Sequence, residues 1–307
     1  MSEATGTIGT FAAMPSPSRS ALVRAYMGAA AATFFWSSNV VAVKYILREI
    51  PAFPAGLLRI ALAAVALTAI RLLQRKPFSV RDADRGTLLR LGVAGVAWSF
   101  LLFTAALAYT SVAHAVFIGA LIPLAVLLLA RVEGQERITL LKLAGLIICL
   151  LGVVLLAFDK AYGTNAGWLG DLLAFAGMWC FSYFTVSSKR LAERYDSISL
   201  ITYSFLIAAL FCLPFLFWVI SAVSWGQITW VGWVALLYSA TFGSAGAYLS
   251  YYYALRILTA SQVAAFQYVQ PVLSTCFGVV FLAETWGAGF AFGAVLILVG
   301  MLLAERR

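Results

Sequence analysis

Residues 120–152, ALIPLAVLLLARVEGQERITLLKLAGLIICLLG, and residues 268–300, YVQPVLSTCFGVVFLAETWGAGFAFGAVLILVG, decide how this chain is built. Laid over one another without a gap, they match Pro123 with Pro271, Glu136 with Glu284, Gly145 with Gly293 and Gly152 with Gly300. The same register extends back to pair Gly95 with Gly243, Ala106 with Ala254 and Leu107 with Leu255. In a chain this rich in leucine and alanine, the matched proline, glutamate and glycines carry the weight, and the register reads as an internal repeat.

Composition sets the solvent. With 63% hydrophobic and 11% charged residues and a mean hydropathy of +0.96, the chain holds more apolar surface than one soluble core can bury. Apolar runs of the length a helix needs to cross ~30 Å of hydrocarbon fall near 26–44, 53–73, 90–109, 112–131 and 138–158, then near 167–188, 199–220, 229–253, 260–282 and 286–304. Long runs punctuated by charges and turn residues favour helices over barrel strands, which would alternate with period two. The expected fold is an all-α integral membrane protein of ten transmembrane helices. It divides into a flexible cytoplasmic tail (1–25), a first five-helix repeat (26–158) and a second (159–307).

Basic residues orient the chain, because Lys and Arg in short loops are retained on the cytoplasmic side. With the N-terminus inside, all but Lys44, Arg48, Arg59 and Lys160 of the 21 basic residues fall in cytoplasmic segments. Both termini are therefore expected in the cytoplasm, and the net charge of +9 is a topology signal rather than a nucleic-acid footprint. The first 24 residues lack the basic start and apolar stretch of a cleaved signal. Cys149, Cys180, Cys212 and Cys276 all lie within spans, so no disulfide framework is expected.

A duplicated unit with an odd number of spans inserts its second copy upside down, giving two inverted repeats related by a pseudo-twofold axis in the membrane plane. Two such halves have two near-equivalent ways to lean around a central cavity, which is alternating access.

On these residues the chain resembles the drug/metabolite transporter superfamily with two EamA repeats. The first copy reads Ala120-Leu-Ile-Pro123, Glu136-Arg-Ile-Thr139 and Gly145 to Gly152; the second reads Val269-Gln-Pro271, Glu284-Thr285 and Gly293 to Gly300. Arg59, early in the second span, resembles an arginine common at that place in the family, whereas the second copy has Ser204 near the matching position. The likeness covers about residues 26–305. Its tryptophan- and tyrosine-rich spans are most similar to the family's bacterial aromatic amino-acid exporters, which implies a multi-pass protein of the inner membrane.

Depth and helical spacing nominate cavity residues, since positions three, four and seven apart share a face. Trp36 and Asn39 lie mid-depth on the first span, and Trp98 lies mid-depth on the third. Phe175, Trp179, Ser182 and Tyr183 form a stripe on the sixth, Ser244, Tyr248 and Tyr252 on the eighth, and Gln267, Gln270 and Ser274 on the ninth. Amides facing lipid without a partner are costly, so the two glutamines mark an interior surface. Interhelical hydrogen bonding or an interfacial aromatic belt explains the same residues without a ligand, and the sequence leaves both open. Pro123 and Pro271, mid-span, are expected to kink or hinge their helices.

Ionisable groups are few. His114, the one histidine, sits near the outer end of the fourth span and is kept as a candidate contact, although a hydrogen-bonded interfacial role is the simpler reading. Arg59 is expected to snorkel outward or pair with Glu49. Lys44, Asp171, Lys189, Glu136 and Glu284 near span ends are expected to be solvated.

No mid-depth basic cluster is present for a multiply charged phosphate. Aromatic faces with neutral amides suit a small neutral or zwitterionic, aromatic or apolar substrate. The sequence is therefore read as an exporter of aromatic or other bulky neutral amino acids and analogues, with Trp179, Tyr248 and Gln267 touching substrate. The alternatives are a broad multidrug or metabolite exporter of the same fold and, further off, a channel. A single histidine leaves no His-x-x-x-His metal chemistry, so no enzyme is expected. No cofactor and no nucleic-acid partner are expected either.

Overall fold

The structure is a computed structural model that describes residues 18–77, 79–109, 118–159, 168–282 and 288–305. His114, Glu284, Lys160 and most of the expected tail lie outside these residues. The described residues form helices and connecting turns, without a strand.

The elements are α1 (Arg19–Ile46), α2 (Ala52–Leu73), α3 (Arg85–Arg90), α4 (Ser99–Tyr109), α5 (Ile122–Val132), α6 (Leu140–Asp159) and α7 (Trp168–Arg190). They continue with α8 (Ser197–Ala222), α9 (Trp230–Ala240), α10 (Ala247–Leu255), α11 (Ala260–Ala265), α12 (Val269–Leu282) and α13 (Ala288–Glu305). The helix Ala52–Leu73, the run Asp82–Ala106, the helices Trp168–Arg190 and Ser197–Ala222, and the run Ala260–Phe281 are long and apolar enough to cross a membrane. Ile122–Val132, Leu140–Leu155 and Ala291–Ala304 are shorter apolar stretches. Leu73, Val132, Leu140, Phe217, Trp230 and Phe292 stand exposed, an outer surface suited to lipid.

α1 begins at Arg19 rather than at 26, because Ser18 caps it: the Ala21 N–H donates to Ser18 Oγ at 3.3 Å. Four of the expected spans are not simple α-helices. π-helical turns occupy Leu91–Trp98 between α3 and α4 and Thr241–Gly246 between α9 and α10, so two stretches matched in sequence loosen at matching places. The run Ala260–Phe281 is broken: α11 ends at Ala265, a 3-10 turn covers Phe266–Tyr268, and α12 restarts with Pro271 as its third residue. Pro123 likewise stands second in α5, after a turn at Ala120–Leu121. At these positions the N–H would have no intrahelical acceptor, so proline costs little. The two prolines restart helices rather than bend continuous ones.

α6 and α13 pack along each other through glycines. A Cβ on Gly145 would lie 2.6 Å from the Gly300 carbonyl oxygen, and one on Gly152 would lie 2.7 Å from that of Gly293. The early residue of one helix meets the late residue of the other, so the two run antiparallel. All four cysteines are free thiols, and Cys149 sits in this seam, its Sγ 3.3 Å from the Ile297 carbonyl.

The connector after α2 is tied down. Buried Arg71 donates to Tyr203 Oη at 2.9 Å, to Ser199 Oγ and to the Pro77 carbonyl. Buried Asp84 accepts from Arg194 Nη1 at 2.6 Å and from Tyr195 Oη at 3.1 Å. Glu136 is buried rather than solvated: it accepts from the Ser261 N–H at 2.9 Å, from Ser261 Oγ and from Lys142 Nζ, and so closes the first turn of α11. Lys189 is also satisfied within the protein, donating to the carbonyls of Leu255 at 2.6 Å and Leu258 at 2.8 Å beyond α10.

Alanine at Gly145 or Gly300 forces the α6–α13 backbones apart and is expected to cost about 1–3 kcal/mol, as overpacking does. Thermal unfolding in detergent checks this against Gly86→Ala, whose Cβ meets nothing within 4 Å.

Candidate functional site

A cavity of about 260 Å³ lies where α1, α2, α4, α7, α10 and α12 converge. Its α1 wall runs from Trp36 through Asn39, Val40 and Val43 to Lys44 and Leu47, and no residue before Trp36 contributes. The cavity therefore begins at mid-helix and extends toward the C-terminal end of α1.

Its floor is aromatic. The Trp36 ring meets Phe181 at 5.5 Å, Tyr248 at 5.7 Å and Tyr251 at 5.2 Å between centroids. Tyr248 is held in turn by Phe100 at 5.7 Å and by Phe184 and Phe205 at 5.2 Å each. Edge-on packing of this kind fixes ring orientation. Tyr251 and Tyr252 are buried in the same core cluster as Tyr248, and Tyr268 is buried in a second cluster with Ala120 and Cys149.

The walls are amphipathic. Asn39 and Gln267 are each 8% exposed and line the cavity, and Asn39 Oδ1 and Gln267 Nε2 have no hydrogen-bond partner within the protein. Gln270 and Ser274 line it from α12, where Ser274 Oγ donates to the Ser37 carbonyl at 3.5 Å. Ser99, Phe100, Phe103 and Thr104 come from α4. Lys44 and Arg59 are the charged lining residues among those described, and none is acidic.

Arg59 corrects an expectation. It neither snorkels outward nor pairs with Glu49, whose carboxylate instead accepts from the Thr229 N–H at 2.9 Å and Thr229 Oγ1 at 2.7 Å. Arg59 is 8% exposed, its Nη2 donates to Ser244 Oγ at 3.4 Å, and its guanidinium carbon lies 5.1 Å from the Phe100 ring centroid. Ser244 Oγ donates to the Ser239 carbonyl at 2.9 Å, a bond made five residues back within the π turn, so its lone pairs face Arg59. An arginine flanked by apolar residues carries no sequence mark of which way it points.

Of the residues nominated from sequence, Trp36, Asn39, Tyr248, Gln267, Gln270, Pro271 and Ser274 line the cavity. Ser244 lies behind Arg59, and Pro123 lies beside the lining residue Ile122. Trp98 is 43% exposed and packs on Phe211 at 5.9 Å, away from the cavity. Trp179 packs on Phe175 at 6.2 Å, Tyr183 is half-buried, and neither lines the cavity. Tyr252 is buried, 3.5 Å from the Tyr195 carbonyl. The inward face of α7 is instead Ala174, Gly177, Met178 and Phe181. Their spacing of three, four and seven marks a face in the sequence too, but a small apolar one.

A model of the EamA-like transporter family matches residues 23–158 and 168–305. An uncharacterized transporter of Archaeoglobus fulgidus is 28% identical over 89% of this chain and 95% of its own length. The uncharacterized transporter YetK of Bacillus subtilis is 25% identical over 91% of this chain and 86% of its own. A chloroplastic WAT1-related protein of Arabidopsis thaliana is 25% identical over 89% of this chain and 67% of its own. A solved crystal structure aligns with a TM-score of 0.75 at 21% identity, covering 93% of this chain and 96% of that one, a likeness of fold.

Asn39 is seated against Gly243, where a Cβ would stand 2.5 Å from its Cγ. Gly243→Ala is expected to push the amide out of place and lower thermal stability by about 1–3 kcal/mol. Gly246→Ala, whose Cβ meets nothing nearer than 3.3 Å, is the control, and unfolding midpoints of the two variants check the contrast.

Proposed function

Because the chain belongs to the EamA-like transporter family, we propose that its cavity carries aromatic or other bulky neutral amino acids outward across the inner membrane by alternating access. The observation that carries this reading is the cavity itself: begun at mid-helix on α1, floored by interlocked rings and walled by neutral amides and hydroxyls. Its volume of about 260 Å³ is below the ~300–1,000 Å³ of pockets for drug-sized ligands, which favours a metabolite over a large drug. Rings suit the side chain of such a substrate, and the amides suit its ammonium and carboxylate.

Contacts between the halves support inverted repeats. The first helix of each half packs on the third and fourth spans of the other: α1 on α10 and α12, α7 on α4 and α5. The second helices, α2 and α8, pack together, as do the fifth, α6 and α13. Single residues follow the same exchange: the sequence matches Gly145 with Gly293 and Gly152 with Gly300, and in contact the pairs are crossed, Gly145 meeting Gly300 while Gly152 meets Gly293. Exchanged contacts of this kind are what a twofold relation produces, and antiparallel α6 and α13 put that axis in the membrane plane. With the N-terminus cytoplasmic, the observed cavity faces outward and the buried tyrosines form the closed inner gate. Rocking α1 and α7 against their partners would exchange open and closed sides.

Reconstituted protein is expected to move labelled Phe, Trp or Met across liposomes faster than empty vesicles do. Alanine at Trp36 or Gln267 is expected to lower that rate about tenfold, or about 1.4 kcal/mol, whereas Trp179→Ala, outside the cavity, leaves it near wild type. Equal rates with and without protein for all three amino acids would reject this substrate class.

A further inference from the structure

We infer that Arg59 is the anion-recognition residue of the cavity, so that the transported molecule carries a single carboxylate, which binds there while its ring rests on the aromatic floor. The inference rests on the cavity being the transport site and goes beyond it in naming the contact and the charge.

Arg59 is nine-tenths buried in the first half of α2, yet it forms no ion pair with any described residue. Of its five N–H donors, Nη2 donates to Ser244 Oγ, long at 3.4 Å, and Nε has no partner among the described residues. A buried cation without a counter-ion is among the most expensive arrangements a fold can keep, and inside a membrane it marks a site of function. Its immediate neighbours cannot neutralise it, because Ser244 is a neutral hydroxyl and Phe100 offers a ring face at 5.1 Å. A carboxylate entering the cavity can take two parallel N–H donors, the geometry that a planar guanidinium presents best.

The surroundings set the rest of the molecule. Arg59 is one ring from the floor: Phe100 touches Arg59 and Tyr248, and Tyr248 touches Trp36. A ligand with its carboxylate on Arg59 therefore has an aromatic surface within a few bonds' reach. One guanidinium suits a monoanion. The other lining cation, Lys44, lies in the last turn of α1.

The test measures thermal unfolding and ligand affinity of purified wild type, R59Q and R59K at constant ionic strength. The probes are phenylalanine, 3-phenylpropanoate, phenylalanine amide, phenethylamine and chloride. Wild type is expected to bind the two carboxylates at least about tenfold more tightly than the amide and the amine. R59Q is expected to lose that preference while its unliganded midpoint holds or rises, because an unpaired buried charge has been removed; R59K retains part of it. Unchanged carboxylate preference in R59Q, equal weakening of acids and amide, or no response of wild type to either carboxylate would each overturn the assignment. Stabilisation by chloride that accounts for the whole effect would also overturn it, in favour of an inorganic anion site. If R59Q does not fold, the wild-type ligand series and R59K decide.

The two readings fail separately. Binding of 3-phenylpropanoate through Arg59 without phenylalanine transport sinks amino-acid export and leaves the anion site. Equal phenylalanine transport by wild type and R59Q does the reverse.

Discussion

The constraint on which the structure depends is that hydrocarbon offers no hydrogen bonds, so a membrane helix can loosen or break only where protein or a polar cavity satisfies the freed backbone. The irregular backbone follows that rule. The π turns at Leu91–Trp98 and Thr241–Gly246, the turn at Ala120–Leu121 and the 3-10 turn at Phe266–Tyr268 surround the cavity or adjoin its lining residues. Ser37 and Thr33 show how the break is served: their hydroxyls lie 3.5 and 3.4 Å from the carbonyls of Gln270 and Phe266. The cavity is thus where the fold can be irregular at all, which makes it the natural place for a substrate.

Similar halves do not make a symmetric site. Where the first half carries Arg59, the second carries Ser204, whose hydroxyl turns back to the Leu200 carbonyl at 2.9 Å and is wholly buried. Close packing seals that position, since a Cβ on Gly92 would stand 2.9 Å from the Ser204 carbonyl oxygen and 2.5 Å from Ile207 Cβ. Likewise Gly243 packs on polar Asn39, while its counterpart Gly95 packs on Phe184, with 2.9 Å from a built Cβ to that ring. Duplication supplied the scaffold, and divergence of a few side chains on one side supplied polarity.

Charge near the span ends is structural as well as topological. Arg71, Asp84, Glu136 and Lys189 each meet hydrogen-bonding partners across helices. Glu136, from the first half, holds the start of α11 in the second, which ties the broken span to the opposite half. Salt screens such buried pairs little, so they brace that end while the cavity stays open at the other.

The membrane class, the paired Pro, Glu and Gly positions and the polar faces of the first and ninth spans were legible in the sequence, because hydropathy and helical spacing are local properties of the chain. Trp36, Asn39, Gln267 and Gln270 could be picked on those grounds. Trp98, Trp179 and Tyr183 could not be told from them, because an aromatic residue serves a lipid face as well as a cavity. Arg59 was misread for the same reason: its direction is set by Ser244 and Phe100, both distant along the chain. Sequence by itself thus determined the solvent and the repeat. Only tertiary packing decided which face of each helix turns inward, because that choice depends on which glycines and small residues let two backbones approach.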